Sequence, residues 1–338
     1  MAKMITEYYY EKLSLLERKG YQAFLEAIIK KESEVHLPIG IQNDRTVRIL
    51  DMVGLDHPEL FYVDFHEVRY FCSPIGIKCT LTYLDKEPSI SEKQRKIEKV
   101  VSNLMKMARN ANLKNDFVKA RWIHDRLVRN IVYNREAVSA LKQHPDAYSI
   151  EGVLLNKRAV CEGIAKTYKL LADRLGVYAV VAIGESQRKG ERDKEPHGWN
   201  IVKIQDKYYQ IDATWDGNLS LSSQHFRYDY FCLSDREMQR DHNYDGYPKC
   251  KEETMTYFKQ QSREFQKKKQ LIQYVKEESK SGKSYLYFKI TEGSFLDCGD
   301  DLLQAIQEIL LEELPEGRSY EMEFNEDQKI LFVRLSGL

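Results

Sequence analysis

The sequence predicts an α+β chain in three parts. These are an N-terminal helix-plus-strand module over residues 1–115, a mixed core over 116–250, and a small C-terminal β-α-β-β unit over 251–338. Three observations carry that prediction. At 338 residues the chain exceeds one ordinary hydrophobic core and points to two or three structural units. Stretches of helical periodicity alternate with short runs rich in Tyr, Phe, Val and Thr. After Cys250 the character changes, from a motif-bearing core to polar helices and a last group of strands.

The N-terminal module begins with a helix from Tyr8 to about Lys31, with Leu13, Leu16, Tyr21, Phe24, Leu25 and Ile28 as apolar points. Asp56-His57-Pro58-Glu59 reads as a loop that enters a strand, Leu60 to Phe65. Glu67 to Cys72 and Lys78 to Tyr83 read as further strands. Ser91 to Asn110 is charged but periodic, with Ile97, Val100, Val101, Leu104 and Met105 forming one helical face. His36, His57 and His66 are read as structural.

In the core, Lys119 to Tyr133 reads as a helix burying Ala120, Ile123, Leu127, Val128 and Ile131, with His124 as a packing histidine beside that stripe. The next helix opens at Cys161, because Ile164, Tyr168, Leu171 and Leu175 recur at helical spacing and Gly176 stops it. Cys161 therefore caps a helix N-terminus, where unpaired N–H groups and the macrodipole favour a thiolate. His197 to Ile204 then reads as a strand, Gln205-Asp206-Lys207 as a turn and Tyr208 to Trp215 as the returning strand. With an even-length loop, His197 and Asp212 fall on one face, opposite or diagonal to each other. A thiol, an imidazole and a carboxylate so arranged make a Cys-His-Asp nucleophilic site: Cys161 attacks, His197 moves the proton, and Asp212 fixes the ring.

The stretch from Tyr148 to Trp215 resembles the core of the transglutaminase-like superfamily, a circularly rearranged relative of papain-like proteases. Cys161 and Gly163 match its Cys-x-Gly helix start, and His197, Trp199 and Asn200 its His-x-Trp-Asn. Tyr209, Asp212, Thr214 and Trp215 match its Tyr-x-x-Asp-x-Thr-Trp. Trp122 to Tyr133 upstream, and Tyr230 to Asp235 with His242 and Pro248 downstream, extend the resemblance. It implies a papain-like core in which Cys161 is nucleophile, His197 general base and acid, and Asp212 its orienter. The reaction implied is acyl transfer from an amide through a thioester. One oxyanion donor is the backbone N–H of Cys161. The second is a side chain upstream of the nucleophile, with Tyr133, Tyr148 and Trp122 all open.

Composition narrows the function. The 52 basic and 52 acidic residues cancel, which removes a whole-chain electrostatic argument for nucleic acid or anionic membrane. Six irregularly spaced cysteines, with no Cys-x-x-Cys pair, do not read as a disulfide framework. The first thirty residues hold no apolar leader-type run and no stretch is long enough to span a bilayer, so a cytoplasmic protein is expected. His225, Cys232, His242 and Cys250 lack the tight ligand pairs of structural zinc sites. No phosphate-binding loop, dinucleotide fingerprint or calcium loop is present. No cofactor and no metal are therefore expected.

The C-terminal part reads as a long polar helix from Thr254 to Lys280, a strand Tyr285 to Ile290, and an amphipathic helix Asp300 to Leu311. Strands near Tyr320–Phe324 and Ile330–Leu335 follow, with Pro315-Glu316-Gly317 as a turn. The expected function is a cysteine peptidase or amidase acting on protein or peptide amides, with hydrolysis favoured. The alternatives are a cross-linking acyl transferase and a non-catalytic peptide-binding module. The intact triad weighs against the last. Trp199 and Trp215 suit either a groove wall or the core. Oligomeric state is not legible.

Overall fold

The computed structural model describes residues 6–73, 76–187, 190, 192–291, 299–314 and 316–337. The expected first helix is two, α1 (Tyr8–Lys12) and α2 (Leu15–Lys30). Ser14 divides them: its side chain accepts from Glu17 N while Glu17 reaches back to Ser14 N, and that capping box starts a new helix. Next come β1 (Glu34–Leu37), α3 (Asn43–Asp56), β2 (Val63–Ser73) and β3 (Gly76–Tyr83), with the strands in an antiparallel sheet of order β1-β3-β2. Helix α3 was not expected, and Asp56 ends it rather than opening a loop. Its buried carboxylate accepts from Tyr9 N, Tyr10 N and the Tyr21 hydroxyl, tying α1, α2 and α3 together.

The middle of the chain holds α4 (Ser89–Asn110), α5 (Asp116–Asn130), β4 (Val132–Tyr133), α6 (Arg135–Ser139), β5 (Arg158–Ala159) and α7 (Cys161–Leu175). Then follow β6 (Ala179–Ser186), β7 (Glu195–Ile204), β8 (Lys207–Ile211), α8 (Ala213–Ser223), β9 (Phe231–Leu233), α9 (Asp235–Met238) and β10 (His242–Asn243). These five strands form an antiparallel sheet of order β10-β6-β7-β8-β9. Helix α7 packs on β6 and β7 and is buried from Gly163 to Asp173. The buried charges of that helix survive because they pair one turn apart, Lys169 with Asp173 at 2.7 Å and Lys166 with Glu162 at 2.6 Å.

The C-terminal stretch comprises α10 (Tyr257–Gln260), β11 (Glu264–Phe265), α11 (Lys268–Lys280), β12 (Tyr285–Ile290), α12 (Gly299–Glu313), β13 (Ser319–Asn325) and β14 (Ile330–Ser336). The long polar helix expected over 254–280 is interrupted. Ser262 takes a left-handed φ of 53°, and Glu264 and Phe265 pair with Lys289 and Ile290 of β12. The sheet order is β11-β12-β14-β13. Its central strands are buried on both faces, so side-chain alternation serves two cores. Leu286, Phe288, Leu331 and Val333 face α11 and α12, whereas Tyr287, Ile330 and Phe332 join the main core of the chain. Pro315 of the expected turn lies outside the described residues. Among the described residues no helix is long and apolar enough to cross a membrane. Mixed helix and sheet make the fold α+β.

Candidate active site

Cys161 opens α7 as the sequence predicts. Val160 is extended and supplies no side-chain cap, so the first-turn amides stay available to the thiol and to what it binds. The glycine two residues on has a steric reason. A Cβ on Gly163 would lie 2.4 Å from the carbonyl oxygen of Ala147, so only glycine lets the helix start press against the 145–149 segment. Gly198 lies on the other side of the helix start, where a Cβ would meet Glu162 Cα at an ordinary 3.5 Å and the Ile183 side chain at 3.2 Å. The strand that carries the histidine thus lies directly against the helix that carries the cysteine.

Strands β7 and β8 form the predicted hairpin. Its two-residue loop, Gln205-Asp206, has φ of 50° and 62°, as a tight hairpin turn requires. Asn200 pairs with Ile211, which would make His197 and Asp212 diagonal neighbours. The returning strand does not, however, run to Trp215. It ends at Ile211, and Asp212 becomes the N-cap of α8, its Oδ1 accepting from Thr214 N at 2.8 Å and Trp215 N at 3.1 Å. The other carboxylate oxygen, Oδ2, lies 2.7 Å from His197 Nε2. One aspartate therefore caps a helix and orients an imidazole. With Nε2 so engaged, Nδ1 is the nitrogen left for the Cys161 thiol, which lies near enough to act on the ring's charge.

The three predicted residues thus come together: Cys161 half-buried, His197 and Asp212 buried. Burial draws the His197 ring toward neutrality, but the Asp212 carboxylate and the Cys161 thiol outweigh it and raise the pKa to about 10. Burial likewise works against ionised Asp212, yet His197 and then His242 hold it well below the usual carboxylate range.

A cleft of about 310 Å³ opens at His197, walled by Trp215 and Tyr133 and edged by Arg135, Glu195, Thr214 and Asn218. Trp199 is core instead, stacked 5.9 Å behind His197 with its indole N–H on Gln210 Oε1 at 2.7 Å. Of the three candidates for a second oxyanion donor, Tyr133 touches the thiol. It is not helical, as was expected, but lies in β4, paired with Ala159 two residues before Cys161. Burial and the neighbouring thiol raise its pKa. Tyr148 donates its hydroxyl to Ala137 O at 3.1 Å, and Trp122 packs under the Arg126 guanidinium.

Two buried histidines exceed what the sequence indicated. His124 pairs with Asp216, one turn after Asp212 in α8, at 2.9 Å, and lies 3.2 Å from Asp125. His242 Nε2 lies 3.3 Å from the same Asp212 Oδ2 that binds His197, and its Nδ1 is 2.5 Å from Asp241 Oδ1. His242 comes from the segment that closes the core, 30 residues after Asp212 in sequence, so no local spacing announced the contact. Among the described residues, His197, Asp212 and His242 are the group whose polar atoms converge, all within 4.8 Å. Within this trio two imidazole nitrogens share one carboxylate oxygen at hydrogen-bonding distances. The weighed zinc quartet does not converge: His225 packs on Tyr285 and Phe332 while His242 stands on Asp212.

Residues 105–213 match the family model described as the transglutaminase-like superfamily. This part of the chain is transglutaminase-like. The matched span runs from α4 to the first residue of α8 and contains Cys161, His197 and Asp212. Two solved structures are similar. One is described as a TGase, with 15% identity, a TM-score of 0.31, and coverage of 54% of this chain and 50% of that one. The other, a provisionally named cysteine protease from Cytophaga hutchinsonii, has 14% identity and a TM-score of 0.27, with coverage of 44% and 61%. The alignments therefore span between half and about three-fifths of those proteins' lengths. The search of curated proteins found no match.

Proposed function

We propose that this protein is a cysteine enzyme that attacks protein or peptide amides through Cys161, His197 and Asp212, with water as the favoured acceptor. The observation that carries the reading is the buried His197 ring, fixed by Asp212 at 2.7 Å on Nε2 and near enough to Cys161 for the thiol to act on its charge. In the proposed reaction His197 takes the thiol proton and the sulfur forms a bond to the amide carbon. Charge on the carbonyl oxygen is met by the Cys161 backbone N–H and the Tyr133 hydroxyl. The C–N bond then breaks as His197 returns the proton to the leaving nitrogen, and a thioester remains. Water, deprotonated by the same ring, releases the acid and restores the thiol. The polar rim of the cleft supports water as acceptor.

The test incubates the full chain and Cys161→Ala with unfolded proteins and glutamine-containing peptides, together with a labelled primary amine. New peptide termini or deamidated side chains in the wild type alone are the expected result. Amine incorporation would make the protein a transferase instead. Turnover by Cys161→Ala, or none by the wild type across the panel, would overturn the reading.

A further inference from the structure

We infer that His242 is a second positioning histidine of the site, and that through Asp241 and Gln328 it ties the C-terminal hairpin to Asp212. The inference rests on the triad proposed above. Its basis is an unbroken buried chain of hydrogen bonds. His197 and His242 share Asp212 Oδ2 at 2.7 and 3.3 Å. Beyond His242, Asp241 takes Nδ1 on one oxygen, and its other oxygen accepts from the Tyr230 hydroxyl at 2.7 Å and from Gln328 Nε2 at 3.0 Å. Gln328 sits in the turn between β13 and β14, fully buried, and also donates to Glu237 O at 3.1 Å. These contacts form a support behind the Asp212 carboxylate.

Both ring nitrogens of His242 face carboxylate oxygens, and neither neighbour offers that ring a proton while ionised. The ring therefore bridges the two carboxylates, at 3.3 Å from Asp212 Oδ2 and 2.5 Å from Asp241 Oδ1. Such a bridge fixes Oδ2 beside His197, whose ring centre is 5.4 Å away. The remaining surroundings are the Trp215 and Trp199 rings at 4.6 and 5.1 Å and Tyr230 at 5.7 Å. Strand β6 contributes Ser186 opposite His242 in the backbone register, and Glu185 bonds Asn243 at 3.1 Å. Lys194 and Arg240 line a second pocket, which Asp241 and His242 also border.

The test needs no substrate. Cys161 in the full chain is alkylated with iodoacetate from pH 5 to 10 in the wild type, His242→Gln and His242→Ala. The reagent is an anion, so the rate falls on the alkaline side as His197 loses its proton. Gln keeps a donor near the Nε2 position without charge. His242→Gln should hold the maximal rate within about threefold of the wild type, because it keeps a donor to Asp212, and His242→Ala should lose about tenfold or more. Equal rates in His242→Gln and His242→Ala, or a wild-type profile in His242→Ala, would overturn the inference. A wild type whose Cys161 labels no faster than exposed Cys72 would instead remove the triad itself. Should His242→Gln not fold, nitrogen-15 spectra of the wild-type ring decide: a hydrogen-bonded Nε2–H supports the chain of contacts, and a bare Nε2 ends it.

Discussion

A Cβ built on Gly163 would stand 2.4 Å from the carbonyl oxygen of Ala147, and that contact fixes where the nucleophile's helix begins. Val160 N donates to the same oxygen at 3.0 Å, so the 145–149 segment and the helix start are locked together. Gly163→Ala should cost about 1–3 kcal/mol, because the obstacle is backbone and cannot rotate away. Urea unfolding measures this, and Cys161 alkylation should slow along with it. Full stability with unchanged alkylation would mean that the helix start is not so constrained.

Asp212 serves two structures, and substitutions can separate them. Asp212→Asn keeps an N-cap for α8 but gives His197 an amide in place of a carboxylate. Asp212→Ala loses both, so it should be less stable than Asp212→Asn by about 1 kcal/mol. In amide turnover, Asp212→Asn should retain more activity than His197→Ala, since a mis-set ring is milder than no ring. The reverse order would reassign the two roles.

Tyr133 predicts a dissociation between chemistry and reactivity. Amide attack builds charge on a carbonyl oxygen, whereas alkylation of the thiol builds none. Tyr133→Phe should therefore lower turnover by about a hundredfold while Cys161 still reacts with iodoacetamide near the wild-type rate. Equal losses in both assays would show that the hydroxyl acts on the thiol alone.

The pH dependence of stability should report the second buried pair. Burial pulls His124 down, but Asp125 and Asp216 raise it to about 9, against an ordinary value of 6.5. A raised folded-state value stabilises fully below about 6.5 and loses that contribution as pH climbs through 9. His197, raised to about 10, acts with the same sign. The melting temperature should accordingly fall between pH 6.5 and 10, and His124→Gln should start lower and fall less steeply. A melting temperature that rises over this window in the wild type would contradict the assignment.

Much of the site was legible because its signals are local. The helix at Cys161 follows from apolar spacing ended by Gly176, and the hairpin from its polar turn. Where the sequence misled, long-range competition decided. Trp215 and Thr214 suit a strand, but Asp212 finds two amides to cap and turns the chain into α8. The polar run after Thr254 suits one helix, but Glu264 and Phe265 find an open edge on β12. His242 and Gln328 carry no local pattern at all. Their partners lie far along the chain, and only folding brings them to Asp212 and Asp241.

The most direct test of the proposed site is competitive labelling with limiting iodoacetamide at pH 6, read by peptide mass spectrometry in the wild type and His197→Ala. The other described cysteines make good internal references. Burial pushes Cys79 up to about 11 and holds Cys232 and Cys250 well above the ordinary thiol range, while Cys72 is exposed. If Cys161 and His197 form a thiolate–imidazolium pair, Cys161 labels at least about tenfold faster than Cys72, and the histidine substitution abolishes the difference. Equal labelling of Cys161 and Cys72 in the wild type would contradict the pair and leave a binding module in its place.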